Sequence, residues 1–90
     1  MERIMGTITD GDRVVVRQMP MLMLETEPRG RAGWRGCFDL PRDATPLRRQ
    51  RFYRLETADG RSGQIVFVGS EEIESHEGTR VRFQTTGPFD

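Results

Sequence analysis

The sequence predicts a small all-β domain: a five- or six-stranded antiparallel barrel or two-sheet sandwich with at most one short helical turn. Three observations carry this. Short runs rich in β-branched and aromatic residues recur along the chain, glycine-containing turns separate them, and no stretch holds apolar residues at helical spacing over the length of an ordinary helix. A partly open barrel of the SH3-like or OB-like type is the expected architecture, on strand number and spacing alone. At 90 residues the chain has room for one core, so residues 1–90 are read as a single domain.

The elements follow in order. Thr7-Ile8-Thr9 and Arg13-Val14-Val15-Val16-Arg17 flank Asp10-Gly11-Asp12, the signature of a hairpin. The second run continues through Met19-Pro20-Met21-Leu22-Met23-Leu24. Pro20 cannot donate a ladder hydrogen bond and marks an edge, a bulge or a break. Residues 25–33 are loop by composition, and Trp34 to Leu40 form a strand in which Gly36 suggests a bend or a close backbone approach. Residues 41–50, closed in by Pro41 and Pro46, read as a connection with room for one helical turn.

Arg51 to Thr57 alternates, placing Tyr53, Leu55 and Thr57 on one face and Phe52, Arg54 and Glu56 on the other. Gln64 to Val68 is apolar on both faces, as a central strand would be. Thr79 to Thr85 alternates again, with Val81 and Phe83 inward and Arg80 and Arg82 outward. Between the last two strands, residues 70–78 fit either a helical turn capped by Ser70 or a turn at His76-Glu77-Gly78; the turn is preferred.

Between Arg51–Thr57 and Gln64–Val68 lies Gly60-Arg61-Ser62-Gly63, which matches the GXXG loop that clamps nucleotides in KH domains. That loop joins two helices, whereas strand-like segments flank this one. A hairpin opened by Asp59-Gly60, whose second glycine takes a positive φ, accounts for all four residues.

Charge is balanced overall, with 14 basic and 14 acidic residues, but it is not evenly placed. Nine arginines face four acids between Arg29 and Arg61, while acids outnumber arginines on both flanks. Lysine and asparagine are missing from the whole chain, a bias that fits codon usage better than a local site. The lone Cys37 excludes an internal disulfide, and no apolar run reaches membrane-spanning length. The N-terminal residues lack the apolar core of a signal peptide, so a cytoplasmic protein without membrane association is expected.

Chemistry is sparse. Met19, Met21 and Met23 share a strand face, and thioethers suit a soft ion, but such sites usually recruit Cys or His, and Met commonly fills cores. If Leu22 and Leu24 leave the opposite face apolar as well, a partner is one way to cover it. Cys37, His76 and Asp39 are the residue types of a thiol nucleophile with its base and orienter, yet no family spacing joins them. The chain is expected to be no enzyme, to carry no cofactor or metal, and to bind no small-molecule substrate.

The strongest functional cue is Arg48, Arg49, Arg51, Phe52 and Arg54, supported by Trp34 and Arg35, by Arg61 at the hairpin tip, and by Arg29 and Arg31. Arginine and aromatic residues are enriched at protein interfaces, and a basic middle beside acidic flanks can steer a partner or a second copy. The preferred expectation is an interaction or adaptor module that binds a protein partner or itself. The alternative is a barrel that grips single-stranded nucleic acid through the same residues, with Phe52 or Trp34 as a stacking platform. The absence of net positive charge weighs against that alternative.

Overall fold

The computed structural model describes residues 1–26, 33–44, 47–72 and 78–90. Its strands are β1 (Glu2–Asp10), β2 (Arg13–Thr26), β3 (Gly33–Pro41), β4 (Phe52–Thr57), β5 (Ser62–Glu72) and β6 (Gly78–Thr85). They close into one antiparallel barrel in the order β1-β2-β3-β6-β5-β4. The predicted small β-barrel is therefore present, with six strands. It is closed where a partly open one was expected, because Gly6–Thr9 of β1 pair with Arg54–Thr57 of β4.

No described residue is helical, and no helix is long and apolar enough to cross a membrane. Ser70, weighed as a helix cap, lies inside β5, and residues 73–77 of the preferred turn fall outside the described residues. Within the connection after β3, turns occupy residues 42–43 and 49–50.

Local chemistry sets the hairpins. Asp10 pairs with Arg13, so Gly11-Asp12 form a two-residue loop with Gly11 at φ 64°, as a type II′ turn requires of its first central residue. Between β4 and β5 the Gly60 N–H donates to the Thr57 carbonyl (3.0 Å), and the Thr57 N–H donates to the Arg61 carbonyl (2.9 Å). This is a three-residue loop closed by a left-handed residue, Gly60 at φ 95°. The positive φ thus falls on the first glycine of Gly60-Arg61-Ser62-Gly63, not the second. Gly63 is needed for a different reason: a Cβ there would stand 2.5 Å from the Pro88 carbonyl oxygen and 2.9 Å from the Phe89 ring.

β2 is irregular, though not at Pro20, which pairs in register with Met5. Its pairing with β1 slips between Gly6 and Ile8 and again between Ile8 and Thr9. At the first slip Gln18 has φ 46° and donates its N–H to the Thr7 hydroxyl (3.1 Å). Pairing of β2 with β3 begins only at Leu22, so Pro20 sits where no donor is required of it on that side.

The core is the barrel interior. Ile8, Met21, Met23, Leu55, Ile65 and Phe83 are almost fully buried, each worth about 1.5–3 kcal/mol of transfer free energy. Phe38 meets Phe67 edge-on at 6.2 Å, and Tyr53 meets Phe67 edge-on at 5.0 Å. Met21 and Met23 thus serve the interior, and Leu22 and Leu24 face outward.

Each barrel end is stoppered by chain outside the strands. At the β4–β5 hairpin end Phe89 of the C-terminal segment is buried against the core, and Trp34 packs beside it. At the opposite end the described parts of the connection from β3 to β4 contribute apolar side chains. Ala44 and Leu47 pack against the core there, and the Arg48 N–H donates to the buried Tyr53 hydroxyl (3.1 Å).

Candidate interaction surface

The alternation of β4 decides which of its residues can meet a partner. Tyr53, Leu55 and Thr57 are buried, so Phe52, Arg54 and Glu56 must point outward. Phe52 is 58% exposed, an unusual position for a phenylalanine. Its cross-strand neighbour is Val66, and Val68 follows on the same strand at 40% exposure. The outer face of β5 is therefore not covered as a central strand's would be. Closure of the barrel leaves a single sheet wall, so one of the two apolar faces of Gln64–Val68 faces outward.

The preceding arginines do not form one cluster. Gln50 adopts the left-handed conformation at φ 64°, which costs a non-glycine residue about 1–2 kcal/mol and reverses the chain. Arg49 and Arg51, on either side of it, reach opposite neighbours of β4. Arg49 donates to the Val68 carbonyl of β5 (3.2 Å), and Arg51 forms an ion pair with Asp10 of β1 (2.8 Å). The hydrogen bond from Asp10 raises the Arg51 pKa above its ordinary value. Arg54 donates to the Ser62 hydroxyl (2.7 Å) and lies 3.6 Å from Glu56. The Arg48 side chain is exposed, its main chain held by Tyr53.

Register carries the outward row of β4 round the barrel. Phe52 pairs with Val66, Val66 with Gln84, Gln84 with Arg35, and Arg35 with Leu24, which makes one outward-facing row across five strands. Three strands is half the way round a closed six-stranded barrel, so Arg35 lies on the side opposite Phe52 and does not join its face. Arg82, one outward position along β6, lies beside Gly69 and flanks the valines. Val66, Val68 and Arg82 were not singled out as site residues from the sequence. The signal for them was there, in the doubly apolar Gln64–Val68 and the outward Arg82 of β6.

Trp34 and Arg61 lie elsewhere. The Arg61 guanidinium stacks 4.6 Å from the centre of the Trp34 ring and 5.8 Å from that of Phe89. It also pairs with Glu2 and, at 2.8 Å, with Asp59. The Arg61 hydrogen bond, aided by the Thr57 hydroxyl, lowers the Asp59 pKa to about 2. The Trp34 N–H of the main chain donates to the Thr85 hydroxyl (3.0 Å). This group closes a barrel end and is separate from the Phe52 face. Arg29 and Arg31 lie outside the described residues.

The residues weighed for nucleophilic chemistry are similarly placed. Cys37 is half-buried on the outer face of β3 between Leu22 and Arg82, and Asp39 is held by Arg80 at 2.9 Å. His76 is outside the described residues. Among the described residues no group of His, Cys, Asp or Glu is arranged to hold a metal ion. Comparison of the chain with protein-family models, curated proteins and solved structures finds no match.

Proposed function

We propose that this domain is a non-enzymatic interaction module that docks a protein partner, or a second copy of itself, on the outer wall formed by β4 and β5. The observation that carries the reading is Phe52, a large aromatic ring 58% exposed beside Val66 and Val68 and flanked by arginines. An aromatic anchor beside arginine is the residue chemistry of interface hot spots. Its place on a hydrogen-bonded strand, next to Tyr53 and Leu55 that are locked into the core, keeps the ring oriented before any partner arrives. The module is assigned to the cytoplasm, where Cys37 remains a thiol.

Single-stranded nucleic acid is the less favoured ligand for the same wall. Arg51, Arg61 and Arg80 already hold Asp10, Asp59 and Asp39, and the face of Trp34 is covered by Arg61. A photo-crosslinking amino acid placed at position 52 tests the proposal in cells, with position 13 on β2 as the control. A defined protein adduct, or a dimer of this chain, formed at 52 and not at 13 is expected. Adducts to nucleic acid, or none at 52, would overturn it.

A further inference from the structure

The outer face of β4 and β5 combines a small apolar spot with a frame of cations, and that combination restricts what it can hold. The spot consists of Phe52, Val66 and Val68. Arg54 stands two residues from Phe52 on the same strand face, Arg49 is parked over Val68 through its carbonyl, and Arg82 of β6 pairs with Gly69, the residue after Val68.

Resting on the docking face proposed above, we infer that this spot takes an extended acidic segment of a partner protein, one that inserts an apolar side chain between Phe52 and the valines. Three points carry it. The spot offers one aromatic and two valine side chains, room for one or two incoming residues. A folded partner generally buries about 800 Å² per side. A linear segment fits the smaller area.

Charge supplies the second point. Among the described residues, the carboxylates that pair with this frame are loosely engaged: Glu56 lies 3.6 Å from Arg54 and Glu71 lies 3.9 Å from Arg82, all four side chains more than half exposed. Exposed pairs at that separation contribute little. Guanidinium donors therefore stay available for bidentate bonds to an incoming carboxylate. Arg49 spends one donor on an uncharged carbonyl, which fixes its place without neutralising it.

Spacing is the third. Phe52 and Arg54 project from one face about 6.7 Å apart, twice the rise of an extended residue. An extended segment repeats its side chains at the same interval. When its apolar residue covers Phe52 and Val66, the carboxylate two positions along arrives over Arg54.

Fluorescence anisotropy with a labelled Glu-Asp-Phe-Glu-Val-Asp-Glu peptide tests this, beside a version with every acid replaced by Lys and a third with Phe and Val replaced by Ser. The acidic apolar peptide should bind, weaken with salt, and lose at least about tenfold in affinity against Phe52→Ala, Arg54→Glu or Arg82→Glu. Circular dichroism of each variant should match wild type, since all three side chains are exposed. Equal binding of the Lys peptide, or binding indifferent to these variants, would overturn the inference. A protein crosslinked at position 52 with no affinity for the acidic peptide would leave the docking face standing and remove only its acidic partner. Competition by poly(U) for the same residues would remove both.

Discussion

Two places on this barrel join arginine to aromatic rings, and they differ in one respect. At the hairpin end Arg61 lies over Trp34 and Phe89 and holds Glu2 and Asp59, so its stacking and its ion pairs are satisfied within the chain. On the outer wall Phe52 is uncovered, and Arg49 and Arg54 hold a carbonyl, a hydroxyl and a distant carboxylate. Residue types are shared; the local supply of carboxylates and covering side chains is not. An Arg–aromatic pair is thus evidence of a docking site only where the fold leaves its partners missing.

Mutations should separate the two places most sharply at Phe89. Its removal by Phe89→Ala unplugs the barrel and should cost about 3–5 kcal/mol in urea unfolding. A loss below about 1 kcal/mol would show that the C-terminal segment is not part of the core. Next come Trp34→Ala and Arg61→Ala, combined in a double-mutant cycle. The stacked pair should show a coupling of about 0.5–1 kcal/mol, with binding at the Phe52 face unchanged.

Acid should loosen the same end. The folded Asp59 carboxylate titrates at about 2, below its usual 3.8. A depressed carboxylate stabilises the fold above its usual pKa, and that contribution fades as pH falls from about 4 to about 2. Unfolding midpoints measured across that range should drop more steeply for wild type than for Asp59→Asn. The smallest effect on stability is expected at Phe52→Ala, within about 0.5 kcal/mol of wild type, alongside loss of docking. A large destabilisation there would erase the contrast between the two places.

Much of this was legible from the residues. Period-two alternation placed Tyr53, Leu55, Val81 and Phe83 inward and Phe52, Arg54, Arg80 and Arg82 outward, because side-chain direction in a strand is local. The hairpin reading of Gly60-Arg61-Ser62-Gly63 rested on turn chemistry, also local, yet it put the positive φ on the wrong glycine. What Gly63 accommodates is Phe89, twenty-six residues away in sequence and without strand character of its own.

Non-local pairing explains the other differences. Nothing near Gly6–Thr9 announces β4 as a neighbour, and without that pairing the barrel reads as partly open. The division of Arg49 from Arg51 depends on Gln50, a residue with no strong preference for its left-handed backbone. Val66 and Val68 looked like the covered face of a central strand because composition does not say whether a second layer exists.

The strand order has a kinetic consequence. β1-β2-β3 and β4-β5-β6 are two meanders whose internal pairings are nearest neighbours in sequence, whereas β1 with β4 and β3 with β6 join residues tens of positions apart. Each meander alone leaves an apolar face and two unpaired edges, so neither gains much before the other docks. Both seams should therefore zip in one late, cooperative step, on the millisecond-to-second scale of all-β topologies. Until then the edges of β1 and β3 are open to pairing with another copy of the chain, and dilute refolding should outperform concentrated refolding.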